Sequence, residues 1–377
     1  MYGLFVRRHA RAAAAYCDIG VLYICPDPLI GNNKYEIEEK NAAGTPEVTV
    51  YYRPASRRYK LLKPYVNGVR YLLAFIKGYK HILKSFGKPD LIHINILTRA
   101  AIPALYLKIF KNIPYIITEH WSRYQSGVAT YNGLIRKITT KIIVRKADAL
   151  LVVTENLRKA MASHNLTNKK TAIINNVVNT DMFVPRPAEK ENSSFRLIHV
   201  SCFEDKSKNL SGMLRAIKLL TKTRQDFVVH LAGDGVDKDL IENLSIELEL
   251  KDRYVVFDGL LKETEVAEAI SKSHLLIMFS NYENMPVVIN EALSCGKPVV
   301  SSDVGGISEM MDSSCGVLVN PGDEKSFAGA ISYILDNYEK YYPVNLRKKI
   351  IDKYSMEAVG KELATLYSGI INFRNND

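Results

Sequence analysis

The sequence predicts two doubly wound α/β domains facing each other across a cleft. Three observations carry this expectation. Apolar runs of strand length alternate with helical stretches through both halves of the chain, a pattern that builds parallel sheets covered by helices. Between the halves lies Val184-Pro185-Arg186-Pro187-Ala188-Glu189-Lys190-Glu191-Asn192-Ser193-Ser194, polar and proline-containing, with the composition of a linker. The length of 377 residues leaves room for two or three domains, and 47% apolar with 24% charged residues is ordinary globular composition. The expected limits are 1–184 for the first domain, 185–194 for the linker and 195–355 for the second, with a last helix through 356–377.

In the first half, strands are expected near Ile19–Cys25, Val48–Tyr52, Leu91–Asn95, Tyr115–Thr118, Ala149–Val153 and Ala172–Ile174. The second half is more regular, with strands at Leu197–Ser201, Phe227–Ala232, Tyr254–Phe257, Leu275–Phe279, Val299–Ser301 and Val317–Val319 and helices in the gaps. Doubly wound sheets place their ligand at the carboxyl ends of the strands. Residues that follow a strand therefore rank first as candidates.

Charge divides the halves. Residues 1–187 carry 29 Lys and Arg against 11 Asp and Glu, while the remainder carries 22 against 29, so the halves are +18 and −7 within a net charge of +11. An anionic partner for the first half follows. The excess concentrates over 53–88, where Arg57, Arg58, Lys60, Lys63, Arg70, Lys77, Lys80 and Lys84 alternate with Tyr59, Tyr65, Tyr71, Phe75 and Tyr79. Such a stretch suits an anionic membrane surface. Nucleic acid is the weaker rival, because no helix-turn-helix, RNP-like or zinc-finger pattern accompanies the charge. Five cysteines, at 17, 25, 202, 295 and 315, form no Cys-x-x-Cys pair, so neither a zinc site nor a disulfide framework is indicated. No apolar run reaches the 18 or so residues of a membrane span, and the start has no signal-peptide core. The expected setting is the cytoplasm, peripheral on the inner face of the cell membrane.

The most informative segment is Asn281-Tyr282-Glu283-Asn284-Met285-Pro286-Val287-Val288-Ile289-Asn290-Glu291-Ala292. An apolar strand ends just before it, the turn closes at Pro286 where a helix can begin, and two carboxylates bracket that helix. Eight helical residues rise about 12 Å, roughly the span from a hexose across a diphosphate to a ribose. The amides at the helix start are available to oxygen ligands. In the loop after the first strand of the second half, Lys208 can meet a diphosphate at a helix amino end. His120, in Thr118-Glu119-His120-Trp121, follows a buried strand of the first half, with Asn95 and Thr154 closing two others on the same edge.

The Glu-x7-Glu spacing, followed by Ala292-Leu293-Ser294-Cys295-Gly296-Lys297-Pro298-Val299-Val300 and by Asp303-Val304-Gly305-Gly306, resembles the retaining glycosyltransferases of family four (glycosyl transferases group 1, bacterial surface-polysaccharide type), and the resemblance covers nearly the whole chain. It implies the GT-B fold, with the last helix, about Met356 to Phe373, packing back on the first domain. It implies Glu283, Lys208 and His120 at the reacting end. Asn284, Met285, Pro286 and Val287 would hold the donor sugar through the helix start, and Glu291 the ribose. Asn209 and Lys206 fall to the diphosphate loop, Gly233 and Gly235 to a close backbone approach, Leu261 to the nucleobase and Gly3 to the loop before the first helix. The family often has an Arg six residues before Lys208, where Cys202 stands here, with Lys206 as the substitute.

Gly3-Leu4-Phe5-Val6-Arg7-Arg8-His9-Ala10 resembles the start of the family's first helix, yet the strand that belongs before it is absent from the sequence. In a doubly wound sheet that strand lies in the middle, so a first domain without it has a gap bounded by unpaired edges. The expectation is a natural chain about 15–25 residues longer upstream, one short strand and a loop; the alternative is a rearranged sheet.

Other motifs lack their chemistry. Gly233-Asp234-Gly235 would need glycine at 238 for a dinucleotide fingerprint, and Lys238 stands there. Asp237-Lys238-Asp239 matches a metal motif of a different fold but opens a helix, where Asp serves as cap. No His-Glu-x-x-His or Gly-x4-Gly-Lys-Ser/Thr occurs. The expected protein is a metal-independent, retaining glycosyltransferase. It would move a sugar from a UDP- or GDP-sugar to a glycan or lipid-linked saccharide in cell-envelope polysaccharide synthesis, with no cofactor and no nucleic acid. The alternatives are a GT-B nucleotide-sugar epimerase, which needs no acceptor, and a non-catalytic relative that only binds.

Overall fold

The computed structural model describes residues 3–30, 34–42, 45–56, 62–97, 99–125, 128, 130–189 and 194–375. Of the predicted basic stretch, Arg57, Arg58, Tyr59 and Lys60 lie outside the described residues, as do Lys190 to Ser193 of the linker and the last two residues.

The first half opens with helix α1 (Leu4–Ala14), strands β1 (Val21–Pro26), β2 (Tyr35–Ala42) and β3 (Thr45–Tyr52), and the long helix α2 (Lys63–Phe86). Then come β4 (Ile92–Asn95), α3 (Ala101–Lys111), β5 (Tyr115–Glu119), α4 (Leu134–Lys146), β6 (Ala149–Val152), α5 (Glu155–Ser163) and β7 (Thr171–Ile173). These strands form two sheets, one ordered β1-β3-β2 and one β4-β5-β6-β7. The second is parallel throughout. Its central strands, Tyr115–Glu119 and Ala149–Val152, are buried at every residue, as continuous apolar runs require.

One strand departs from expectation. β2 runs antiparallel to β3, so the first half is not wholly parallel. Its sequence, Tyr35-Glu36-Ile37-Glu38-Glu39-Lys40, is too charged to read as a buried strand. It sits at a sheet edge, where a polar strand is tolerated and resists pairing with another chain. Among the described residues, β1 pairs only with β3 and β4 only with β5, so each is an edge strand.

The second half contains β8 (Phe195–Val200), α6 (Asp205–Lys208), α7 (Leu210–Leu220), β9 (Phe227–Ala232), α8 (Lys238–Glu247), β10 (Val255–Gly259) and α9 (Glu263–Lys272). It continues through β11 (Leu275–Met278), α10 (Val287–Ser294), β12 (Val299–Ser302), β13 (Gly316–Val319), α11 (Glu324–Asp336), α12 (Pro343–Tyr354) and α13 (Met356–Asn375). All six strands are parallel, in the order β10-β9-β8-β11-β12-β13. Strand order reverses between β8 and β11. The loops leaving those two strands open a crevice there.

The halves meet closely. One apolar cluster runs from Ile117 and Val152 through Val178 and Phe183 to Met285, Ile289 and Ile307. Helix α13 lies on α1, with Ala12, Ala13, Val359, Leu363 and Tyr367 in a shared core. Gly360 permits the approach, since a Cβ there would stand 2.2 Å from the Ala12 carbonyl oxygen.

Candidate active site

The crevice is built from the loops after β8 and β11. After β8, the short α6 ends at Asn209, whose left-handed backbone (φ 49°) turns the chain into α7. That turn leaves Lys208 facing the loop after β11. Its Nζ lies 2.5 Å from Glu283 Oε1, and Ser280 Oγ donates to the same oxygen at 3.0 Å. Both charged side chains are largely buried. Burial works against the Lys208 ammonium, but the Glu283 charge outweighs it and raises the lysine above its ordinary value. The lysine is therefore charged.

Asn284, Met285 and Pro286 follow at the start of α10, with Pro286 at the cap position and the helix running from Val287. Asn284 reaches the other half: its Nδ2 donates to the His120 carbonyl (2.8 Å), and Thr154 Oγ1 donates to its Oδ1 (2.9 Å). Asn176 bonds the Met285 carbonyl through Nδ2 at 3.3 Å. Gln125 donates to the Glu283 carbonyl at 2.9 Å. Gly305 and Gly306 bring the 303–306 loop against this turn. A Cβ on Gly305 would stand 2.0 Å from the Glu283 carbonyl oxygen, and one on Gly306 2.4 Å from Thr154 Cγ2. Here the need for glycine is the shared space.

Across the crevice, His120 ends β5. Its ring nitrogens lie 3.0 Å from Asn176 Oδ1 and 3.2 Å from Asn95 Oδ1, and Phe5 stacks on it at 4.4 Å between centroids. Burial, with His9 close by, pushes its pKa well down, so the ring is neutral. The turn that carries it is pinned by Glu119. One Glu119 oxygen accepts from the amides of His120 and Trp121 at 2.9 and 3.0 Å, and the other accepts from the Leu97 amide and the Tyr124 hydroxyl, both at 3.0 Å. Burial pushes the Glu119 carboxyl up, while those backbone bonds pull it back. Trp121 is 44% exposed with Arg123 stacked on it at 3.6 Å.

Glu291 closes the other end of α10, and its partner is unexpected. Arg8, on α1, places Nη2 2.8 Å from Glu291 Oε1 and 2.7 Å from Glu263 Oε1, and donates from Nη1 to the Val177 carbonyl. Arg8 is only 3% exposed. Burial opposes the guanidinium, yet Glu291 and Glu263 hold it above the ordinary arginine value. Burial also pushes Glu291 up, and Arg8 pulls it back. Glu263 opens α9 two residues after Leu261, so the β10–α9 loop flanks this cluster.

The structure thus gathers Glu283, Lys208, His120, Asn284 and Met285 at one end of α10 and Glu291, with the Leu261 loop, at the other. Gly3 starts α1 with φ 82°, two residues before Phe5 on the His120 ring. Other candidates make structural contacts within the second half. The Asn209 side chain caps α7 by accepting from the Gly212 amide. Gly233 and Gly235 pack against Ser201 and Phe203, where a Cβ would meet backbone at 1.9 and 2.4 Å. Lys206 and Cys202 are exposed. Asp237 stands at the N-cap of α8 without a side-chain cap bond; its carboxylate accepts from the Asp205 amide at 2.8 Å. Among the described residues, no three His, Cys, Asp or Glu side chains are grouped to hold a metal ion. Reading the sequence missed Arg8, Glu119, Asn176 and Glu263. Only Glu119 carried a signal, a carboxylate closing an otherwise apolar buried strand.

Comparisons with known proteins agree with this fold. The profile described as Glycosyl transferases group 1 matches residues 184–353, and that described as Glycosyltransferase Family 4 matches 34–182. The chain is 25% identical over 325 residues to an alpha-D-kanosaminyltransferase of Streptomyces kanamyceticus, covering 79% of this chain and 82% of that protein. It is 25% identical over 288 residues to a lipopolysaccharide 1,6-galactosyltransferase of Escherichia coli, covering 72% and 76%. Among solved structures, Anabaena HepE in complex with UDP and glucose superposes with a TM-score of 0.72 at 17% identity, covering 98% of this chain and 96% of that one.

Proposed function

We propose, from the premise that the chain belongs to the glycosyl transferases group 1 of family-four type, that it transfers a sugar from UDP-sugar to a glycan or lipid-linked saccharide with retention of configuration. That it is a GT-B glycosyltransferase is the established part. The Lys208–Glu283 pair at the reversal point of the second sheet carries the rest, because it sets a buried cation and a carboxylate side by side at the amino end of α10.

Departure of a nucleoside diphosphate builds negative charge on its outer phosphate. A preorganised ammonium and helix amides at that point lower the barrier without rearranging. Lys208 fills this role, and on this reading no divalent cation is needed. Glu283 turns its carboxylate to hydroxyls of the donor sugar, while neutral His120 is held to donate or accept from across the crevice. Glu291 anchors the ribose. With a phosphate oxygen taking the acceptor proton on the leaving-group face, no protein base is required. UDP is preferred over GDP because HepE is described in complex with UDP. A role in envelope polysaccharide is favoured by the likeness to the lipopolysaccharide galactosyltransferase and by the basic first half.

The test is thermal stabilisation by UDP- and GDP-sugars in chelator, followed by turnover with and without acceptor. A ligand that binds only the folded protein must raise its melting temperature. A shift with UDP-sugar in chelator, and turnover only with acceptor, is the expected result. Conversion without acceptor would make it an epimerase, and no shift with any donor would end the reading.

A further inference from the structure

We infer that the face formed by α3 and α4 is a docking surface for an anionic phospholipid bilayer. On α4, Leu134, Ile135, Ile138 and Ile142 are 48–80% exposed, and every residue from Asn132 to Thr139 is exposed. Only Ile143 and Val144, at the far end, are buried. α3 touches α4 and buries Ala101, Ala104 and Leu107, while Ile102, Tyr106, Ile109 and Phe110 are 48–66% exposed. The spacing, three and four residues apart, puts each set on one helix side. Together the two helices expose eight large apolar side chains, more than the scattered single residues of an ordinary surface.

Charge selects the occupant. Neither helix contains an acidic residue. Lys111, Arg136, Lys137, Arg145 and Lys146 are exposed beside the apolar side chains. Among the described residues, Lys108 is the cation of these helices that a carboxylate answers, Asp148. A second copy presenting this same face would set cations against cations, whereas an anionic interface offers both a low-dielectric bed and countercharge. Helix α2, where the sequence placed the membrane contact, is less suited. It also exposes apolar residues, but the carboxylates of β2 lie beside it, with Glu39 paired to His81.

The position fits a lipid-linked acceptor. The chain leaves β5 through His120 and Trp121 and reaches the exposed start of α4, so the most apolar part of the face lies toward the crevice edge. This last step rests on the proposed function; the docking does not.

The experiment is flotation with phosphatidylcholine vesicles, with and without about one-third phosphatidylglycerol, in the absence of donor. The wild type should float with the anionic vesicles and be released by salt. Ile135→Glu/Ile138→Glu and Arg136→Glu/Lys137→Glu should each lower that partition about tenfold or more, with unchanged melting temperatures and UDP response. Lys80→Glu/Lys84→Glu on α2 makes the same charge change and should lower it less. Equal binding to neutral vesicles, no binding, an equal loss in the α2 variant, or a wild-type dimer that the Ile135→Glu/Ile138→Glu variant abolishes would each overturn the assignment. Failure of UDP to bind would leave this result standing and remove the donor reading alone.

Discussion

Glu291→Gln separates a ribose anchor from a structural carboxylate. Glu291 is buried, and its Oε1 accepts from Arg8 at 2.8 Å. Glutamine keeps the shape and an acceptor oxygen but removes the charge. Arg8 then faces Glu263 alone, a one-to-one pair, so the fold should persist and the melting temperature should move by only a few degrees. For the nucleotide the consequence is larger. A hydrogen bond to a charged group is worth about 1.5–3 kcal/mol, so losing that strength at the ribose predicts UDP binding weakened about 10- to 100-fold. The assay is calorimetry on a four-member cycle of wild type and Glu291→Gln against UDP and 2′-deoxy-UDP. Wild type should distinguish the two ligands strongly and the variant less, because both changes weaken the same contact. If both proteins discriminate equally, Glu291 does not receive the ribose hydroxyl, and its place at the end of α10 belongs to the interface with Arg8.

Arg8→Met removes the cation from two carboxylates; breaking a buried pair costs about 3–5 kcal/mol, so the unliganded protein should melt lower, yet UDP should bind more tightly because a ribose hydroxyl at Oε1 no longer replaces a guanidinium. Weaker UDP binding by calorimetry would make Arg8 a nucleotide contact instead. Gly306→Ala drives a methyl into Thr154 and the Asn284 carbonyl, contacts of 2.4 and 2.7 Å, and should cost about 1–3 kcal/mol in urea unfolding; an unchanged midpoint would show that the loop gives way. Acid should destabilise the protein through its buried histidines. Burial holds His199 at about 4 and His93 at about 3, whereas the unfolded forms protonate near about 6.5. Between those values the unfolded chain binds more protons, so stability falls with pH from about 6.5 to about 4 by roughly 1.4 kcal/mol per unit for each histidine. His199→Gln should remove one proton's worth of that slope in urea titrations, and an unaltered slope would refute the assignment.

The second sheet was legible because its strands are unbroken apolar runs with no competing reading, Phe227–Ala232 being the plainest. β2 was not, because a half-exposed edge strand with Glu36, Glu38 and Glu39 lacks the apolar run that marks a buried one. The Glu283–Glu291 spacing announced its own helix, since both residues belong to one continuous segment. Arg8 could not be found that way. Its partner Glu291 is 283 residues away, and in a helix containing Arg7, Arg8 and Arg11 nothing local marks the one that is buried. Local pattern reports what a segment does with its own neighbours, and a contact between halves is set by how the halves close.

That distinction bears on how the site works. Glu283 faces Lys208 within the second half, so that pair is built from one half alone. Glu291 is bonded across the halves by Arg8, and the turn at 283–285 is bonded across them by Gln125, Thr154 and Asn176. Both ends of α10 therefore answer to closure, the end assigned to the ribose through Arg8 and the end assigned to the phosphate through the bonds to its turn. Arg8 holds only Oε1 of Glu291, so a ribose hydroxyl that takes this oxygen replaces a buried charged hydrogen bond, and one that takes Oε2 adds to it. On the proposed reading, the carboxylate that receives the ribose is also one that ties the halves together, so nucleotide affinity and closure are linked through Glu291.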